Sequence, residues 1–331
     1  MSKIQQNLMS LQSYVLAEER EYPGATGDFS WILSAISLAS KSIGNKVRRA
    51  RIEDVLGDMG DTNVQGEQQQ KLDVLSNEII KACLGSRANI GALVSEEDET
   101  PTVLRSHQDG GRYAVLFDPL DGSSNLDVSV GVGTIFSIVR LGEGVKGTPE
   151  DMILNPASRQ VAAGYVLYGS SSVFVVTTGN GVHMFVLDNS IGSFVLVKEN
   201  LRIPETNKIY SINEAYADRF PEGYRDYLKW AHDNGYTSRY IGSMVADVHR
   251  TLIKGGVFIY PQTTDRPEGK LRYLYEAMPM SMLIEQAGGR SIAAADTRLL
   301  DVKPKSLHER IPVVMGSSEE VQNVERFLSE D

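Results

Sequence analysis

Apolar residues recur at helical spacing early in the chain and at strand spacing in its middle. From Ser30 to Val47 a single stripe of Ile32, Ile36, Ala39, Ile43 and Val47 predicts a long helix. A second helix is predicted from Gln68 to Leu84, with Leu72, Leu75, Ile79 and Cys83 turned inward. Between Gln160 and Lys198 short β-branched runs take over: Val173 to Thr178, Val182 to Leu187 and Phe194 to Val197. Gly179-Asn180-Gly181 marks a hairpin between the first two, so this stretch predicts antiparallel sheet. The polar segment Leu201 to Thr206, interrupted by Pro204, separates an N-terminal half, 1–200, from a C-terminal half, 201–331. Beyond it strands at Ile209 to Ile212 and Val257 to Tyr260 alternate with helices at Tyr224 to His232, Met244 to Ile253 and Leu274 to Gln286. A closing helix, Glu319 to Leu328, is expected to start from a Ser317-to-Glu320 capping box. No internal repeat is visible. The order predicts an α/β (α+β) fold of alternating helix and sheet layers.

The chemistry concentrates where two short apolar runs end in acid. Tyr113 to Phe117 reads as a buried strand, and Pro119, which has no N–H, is expected to stop its ladder. The following Asp118-Pro119-Leu120-Asp121-Gly122-Ser123-Ser124 then delivers two carboxylates to the carboxyl end of a strand, where open α/β sheets place ligands. Gly122 permits a tight turn, and Ser123 and Ser124 supply donors for a phosphate oxygen. Carboxylates alone would repel that phosphate. Divalent cations between them resolve the conflict, and hard oxygen ligands select Mg²⁺, with Mn²⁺ as a substitute. Ser95-Glu96-Glu97-Asp98-Glu99 follows a second apolar run, Gly91 to Val94, and one or two of its acids are expected to face the same cleft. Ahead of the first long helix, Gly24-Ala25-Thr26-Gly27-Asp28 leaves N–H groups for an anion, although an ordinary helix cap explains these residues equally well.

Composition narrows the reading. A net charge of −10 over 331 residues argues against a nucleic-acid surface. A single cysteine, Cys83, rules out an internal disulfide and a cysteine-rich zinc site, and its apolar neighbours suggest a buried helical thiol. No apolar run reaches membrane-spanning length and no secretory h-region stands near Met1, so a soluble, cytoplasmic, reducing setting is expected.

Six strings in order resemble the class I fructose-1,6-bisphosphatases, within the metal-dependent, lithium-sensitive phosphatase superfamily. They are Lys71 to Asn77, Ser95 to Asp98, Phe117 to Asn125, Ala162 to Tyr165, Ile241 to Arg250 and Gly269 to Glu276. The resemblance implies Mg²⁺-dependent hydrolysis of fructose 1,6-bisphosphate to fructose 6-phosphate and phosphate, in gluconeogenesis or the Calvin cycle. It also implies a homotetramer, inhibition by AMP, and a division into an N-terminal allosteric half and a C-terminal sugar-phosphate half. Alternatives are a broader sugar-bisphosphatase also acting on sedoheptulose 1,7-bisphosphate, an inositol phosphatase lacking the distal phosphate pocket, and a catalytically silent sensor. The dense carboxylate set argues against the last.

By the same resemblance Glu96, Glu97, Asp118, Asp121 and Glu276 are metal ligands together with the Leu120 carbonyl. Asp73 and Glu97 help activate the attacking water with Glu67 as partner, a position usually held by Asp. Gly122, Ser123 and Ser124 hold the reacting phosphate with Asp121. Asn213, Tyr216, Tyr240, Tyr260 and Lys270 form the distal phosphate pocket, joined by Arg239 from a neighbouring subunit; Met244 lines the sugar and Arg272 supports the site. Thr26, Gly27, Asp28 and Ser30, with Arg112, Tyr113 and Arg140, match the AMP site, whereas Tyr22 and Pro23 depart from the family's usual small and basic residues. The redox-sensitive insertion of chloroplast members is absent.

Overall fold

Helical spacing becomes helix close to where the pattern places it. The computed structural model describes residues 9–21, 27–62, 68–142, 148–155 and 159–329. Helices α1 (Leu11–Glu21) and α2 (Asp28–Arg49) come first, and α2 sinks Ile32, Ile36, Ala39 and Ile43. Strands β1 (Asp58–Thr62) and β2 (Gln68–Gln70) pair as a short ribbon leading into α3 (Lys71–Gly85). The helix expected from Gln68 therefore starts three residues later. Gln70 is its extended N-cap, and the Asp73 carboxylate accepts the Gln70 N–H at 3.2 Å, closing a capping box.

The acidic strands follow: β3 (Ile90–Ser95), β4 (Thr102–Val103), β5 (Tyr113–Asp121) and β6 (Val132–Arg140), then the short α4 (Pro149–Leu154). The antiparallel run is β7 (Arg159–Tyr168), β8 (Ser172–Thr177), β9 (Val182–Asp188) and β10 (Ser193–Lys198). Together they form an eight-stranded sheet ordered β10-β9-β8-β7-β6-β5-β3-β4, parallel only between β3 and β5. The second half supplies β11 (Ile209–Ser211), α5 (Glu222–Asp233), β12 (Thr237–Ser238), α6 (Met244–Lys254) and β13 (Val257–Tyr260). It continues through β14 (Leu271–Arg272), α7 (Met278–Gln286), β15 (Arg290–Ala294), β16 (Thr297–Arg298), β17 (Arg310–Ile311), β18 (Val313–Gly316) and α8 (Ser318–Leu328). Six of these strands make a smaller sheet ordered β12-β11-β13-β18-β15-β16.

Strict alternation along the strands explains the layers. On β5, Val115 and Phe117 face α1, α2 and α3, whereas Ala114 and Leu116 face α6 and α7. On the smaller sheet Phe258 and Met315 meet those same two helices, while Ile259 and Val314 pack on α5 and α8. The stack reads helix, sheet, helix, sheet, helix. The central helix layer, bearing Val245, Val248, Leu283 and Ile284, is shared by both sheets and welds the halves into one core.

Three expectations need correction. Pro119 does not end β5: the strand runs on to Asp121, and its register against β6 slips, Asp118 opposite Ile135 but Asp121 opposite Gly133. Proline is tolerated at such a bulge because no ladder N–H is required there. The slip has a chemical consequence. Residues three apart on a regular strand face opposite sides, and the extra residue turns Asp118 and Asp121 toward one cluster. The expected Leu274–Gln286 helix opens as a π-helical turn, Tyr273–Ala277, before α7. Pro279 cannot bond four residues back, and the wider turn absorbs that mismatch. Finally, Ser317 makes no side-chain cap. Its hydroxyl donates to the Pro204 carbonyl at 2.6 Å, while buried Glu320 accepts from Thr206 Oγ1, Asn207 N–H and Tyr236 Oη.

Candidate active site

Both acidic strand ends open into one cleft of about 380 Å³ at the junction of the two sheets. The β5 bulge brings Asp118 and Asp121 to it, and the π turn after β14 brings Glu276; oxygens of the three lie within 4.8 Å of one another. All three side chains are buried. Of the acidic run after β3, Glu96 and Glu97 line the cleft. Asp98 turns away, accepting Asn77 Nδ2–H at 2.9 Å and Lys81 Nζ at 3.0 Å, and so fastens the acidic loop to α3.

The hydrogen bonds fix each carboxylate. Asp118 Oδ1 accepts the Leu120 N–H at 2.9 Å, which shapes the bulge. Asp121 Oδ2 accepts the Val245 N–H at 2.8 Å and the Ser243 hydroxyl at 3.2 Å, from the start of α6. Glu276 Oε2 accepts the Arg272 N–H, and the Arg272 guanidinium holds Glu96 Oε1, each at 2.6 Å. Arg272 thus braces two acids at once.

Burial raises the proton affinity of the whole cluster. Asp118 lies well above the usual carboxylate range, through burial first and then Glu96, Asp121 and Glu276. Burial and Glu96 push Glu276 up to about 8. Asp121 rises only to about 6 because the Val245 N–H and Ser243 hydroxyl oppose the burial. Asp73, raised to about 8 by burial and the charge on Glu97, shares the cleft. It also has a local role in the α3 capping box that the sequence did not suggest. Carboxylates this crowded and buried cannot all ionise without more positive charge than Arg272 supplies. An all-oxygen donor set fits a hard divalent cation.

Gly122, Ser123 and Ser124 form the cleft floor beside the cluster, with Leu120 behind. Gly122 adopts φ +76°, and a Cβ there would sit 2.7 Å from Ser243 Oγ, so only glycine lets the two loops meet. Tyr240, Met244, Tyr260 and Lys270 form a second part of the cleft wall, with Lys270 Nζ 5.9 Å from the Tyr260 ring centre. Tyr216 lines an adjoining hollow of about 250 Å³ that shares Tyr260 and Lys270. Two expected residues stand elsewhere. Asn213 Oδ1 accepts the Ala215 N–H at 3.2 Å and caps a 3₁₀ turn, and Arg239, exposed, donates to the Ser238 carbonyl. Neither lines the cleft. Glu67 and Thr26 lie outside the described residues.

The cleft also contains Gln70, Ser243, Asp247 and Arg310, which sequence reading did not single out. Ser243 and Asp247 were within reach, because both sit in the Ile241-to-Arg250 string. Arg310 gave no local signal; it arrives on β17, paired with β14, and donates to the Lys270 carbonyl.

At the opposite end of β5, Tyr113 pairs with Arg140 of β6, and Arg112 and Arg140 line a separate hollow of about 380 Å³. Gly27 caps α2 at φ +73°, ahead of Asp28. Phe29, next to Ser30 and partly buried like it, meets the Tyr113 ring edge-on at 6.5 Å between centres. The helix start and the basic strand ends therefore converge.

Comparison with known proteins agrees with this geometry along the chain. Residues 9–199 match the model of the fructose-1-6-bisphosphatase N-terminal domain, and 203–329 that of the C-terminal domain. Among solved structures, Leishmania major fructose-1,6-bisphosphatase in holo form is 38% identical with a TM-score of 0.90, covering 96% of this chain and 98% of that one. The same protein in T-state is 38% identical with a TM-score of 0.86, covering 97% and 99%. Its apo form is 37% identical with a TM-score of 0.85, covering 96% and 98%. With both domains matched and identity maintained over nearly the full length, the chain belongs to the fructose-1,6-bisphosphatase family of metal-dependent phosphatases, and is a phosphoric monoester hydrolase.

Proposed function

We propose that the cleft hydrolyses fructose 1,6-bisphosphate at its 1-phosphate, giving fructose 6-phosphate and inorganic phosphate, with Mg²⁺ as the resident metal. The observation that carries this reading is one cleft with two unlike walls, buried carboxylates in one and Tyr240, Tyr260 and Lys270 in the other. A substrate with phosphate at both ends of a sugar meets each wall with one end.

Asp118, Asp121 and Glu276, with Glu96, Glu97 and the Leu120 carbonyl, would hold the metal. Bound there, Mg²⁺ supplies charge neutralisation and an acidified water. Ser123 and Ser124 present donors to the reacting phosphate, and Asp121 is kept still by Ser243 and Val245. Asp73, buried in the cleft, is the candidate group to take the proton from the attacking water. Lys270 and the tyrosines fix the distal phosphate, and Met244 packs against the sugar.

The pairing of Gly27 to Ser30 with Arg112, Tyr113 and Arg140 supports an AMP site at the far end of β5. A relative solved in a T-state supports a second global arrangement; in a homotetramer it would be reached through subunit rotation. Arg239, exposed and away from the cleft of its own chain, suits a role across a subunit contact. The halves 1–200 and 201–331 would thus divide regulation from sugar-phosphate binding.

Phosphate release from fructose 1,6-bisphosphate, with Mg²⁺ or chelator, tests the reading. Turnover should require the metal and exceed that on inositol phosphates and sedoheptulose 1,7-bisphosphate. Preference for an inositol phosphate would overturn it.

A further inference from the structure

One carboxylate outside the acidic cluster organises the seam between the two walls. Asp247, in the first turns of α6, is only 1% exposed. Its Oδ1 accepts the Ser211 hydroxyl at 2.8 Å and the Ile241 N–H at 2.9 Å; its Oδ2 accepts the Gly242 N–H at 3.0 Å. The Ser243 N–H donates to it as well. Three successive backbone N–H groups therefore close round one side-chain anion, a nest whose occupant belongs to the chain itself. Gly242 adopts φ +85° within the turn. Its carbonyl accepts Asn125 Nδ2–H at 3.0 Å, from the 3₁₀ turn Ser123–Val128 that follows the cleft floor. Both polar groups of Gly242 are thus gripped, one from each half of the chain.

What hangs on this turn is functional. Tyr240 and Met244 flank it on the sugar side. Ser243 Oγ and the Val245 N–H, immediately after it, hold Asp121. The contact between Gly122 and Ser243 leaves no slack, since even a methyl group at Gly122 would clash.

We propose that Asp247 is a positioning residue: by shaping the Ile241–Ser243 turn, and with Asn125 gripping the same Gly242, it sets the spacing between Asp121 and the Tyr240–Met244 wall. The inference rests on the bisphosphatase reading for its assay, and on geometry alone for its substance.

Asp247→Asn keeps the shape but presents a donor toward the Gly242 N–H. Both KM for fructose 1,6-bisphosphate and the Mg²⁺ concentration for half-activation should rise about tenfold, the effect of one broken buried hydrogen bond. Affinity of the metal-free protein for fructose 6-phosphate, measured by calorimetry, should fall by a similar factor. Ser211→Ala loses a partner of Asp247 without disturbing the turn, and should lower Tm with KM within about twofold of wild type. Adding Asn125→Ala to Asp247→Asn should cost little more than either alone, because both act through Gly242. A lowered Tm with unchanged KM and Mg²⁺ requirement in Asp247→Asn, or fully multiplicative effects in the double variant, would overturn the proposal. Amide hydrogen exchange separates this from a failed assay reading. Even if wild type does not turn over fructose 1,6-bisphosphate, the Ile241 to Ser243 amides must exchange at least about tenfold faster in Asp247→Asn, and equal rates reject the assignment.

Discussion

The two ends of β5 carry opposite chemistry, and the proposed function gives them opposite tasks. At the Asp121 end the side chains are buried, braced by Arg272 and by backbone donors from α6, and their proton affinities are displaced together. At the Tyr113 end, about 25 Å away along the strand, Arg112 and Arg140 are exposed around an open hollow beside the start of α2. A catalytic centre gains from geometry fixed before the substrate arrives, even where that geometry is electrostatically strained. An effector site gains from weak, reversible contacts that differ between two global states. A site of the first kind is costly to disturb and a site of the second kind is cheap, and that difference can be measured.

The largest effect should follow from breaking the acidic end. Asp118→Asn or Asp121→Ala should lower kcat by at least about a hundredfold at saturating Mg²⁺, roughly 2.7 kcal/mol of barrier. Removing one carboxylate from a repelling cluster should leave the metal-free fold as stable as wild type or more so. Steady-state turnover and thermal unfolding check both halves, and more than about a tenth of wild-type turnover in either variant would sink the assignment.

Proton linkage sharpens the same point. Asp73 and Glu276 are raised to about 8 and Asp121 to about 6, each above its unfolded value near 4. A raised carboxylate favours the folded state below its unfolded pKa, and that contribution is lost as pH climbs to the folded value. The chelated protein should therefore lose Tm between about pH 5 and pH 8, and Mg²⁺ should restore more of it at pH 8 than at pH 6. Glu276→Gln should flatten the chelated profile. A chelated Tm that climbs steadily over this range would contradict the displacement.

Much of this end was legible because its signals are local. The helices surfaced through Ile32-Ile36-Ile43 spacing, and the acids through their position after apolar runs. What stayed hidden depends on partners distant in sequence. The register slip that aligns Asp118 with Asp121 exists only against β6, so Pro119 read as a stop. Ser317 and Glu320 matched a capping box, but tertiary neighbours at Pro204, Thr206 and Tyr236 claimed both side chains. Arg310 reaches the cleft by pairing β17 with β14, which no local pattern announces. Asn213 caps a turn through its Oδ1, a local use that a single Asn in the sequence does not announce.

A smaller effect is expected at the sugar wall. Lys270 places its ammonium over Tyr260 with its head in the open, so Lys270→Ala removes a point charge without leaving a buried vacancy. KM for fructose 1,6-bisphosphate should rise about tenfold, the scale of a charge-assisted hydrogen bond, with kcat within about threefold. Hydrolysis of fructose 1-phosphate, which has nothing to offer this wall, should change little. Equal losses on both substrates would place Lys270 at the reacting phosphate instead.

The smallest effect on basal turnover, and the most telling for the comparison, belongs to Arg140. It stands opposite Tyr113 at the far end of the sheet from Asp121, touching nothing in the cleft. Arg140→Ala should leave uninhibited kcat and KM within about twofold of wild type, because surface substitutions away from a site rarely cost more than about 0.5 kcal/mol. A phosphate at the α2 start would nevertheless lose a charge-assisted partner, so the AMP concentration for half-inhibition should rise about tenfold or more. Coupling between sites is reciprocal in binding. The substrate-dependence of inhibition is therefore informative: AMP acting at the Tyr113 end cannot be purely competitive by occupying the cleft, whereas AMP binding among Tyr240, Tyr260 and Lys270 would be. Titrations of wild type and Arg140→Ala at low and saturating fructose 1,6-bisphosphate distinguish the two. Purely competitive inhibition, unchanged by Arg140→Ala, would reduce the basic end of β5 to a solvated strand edge beside an ordinary helix start.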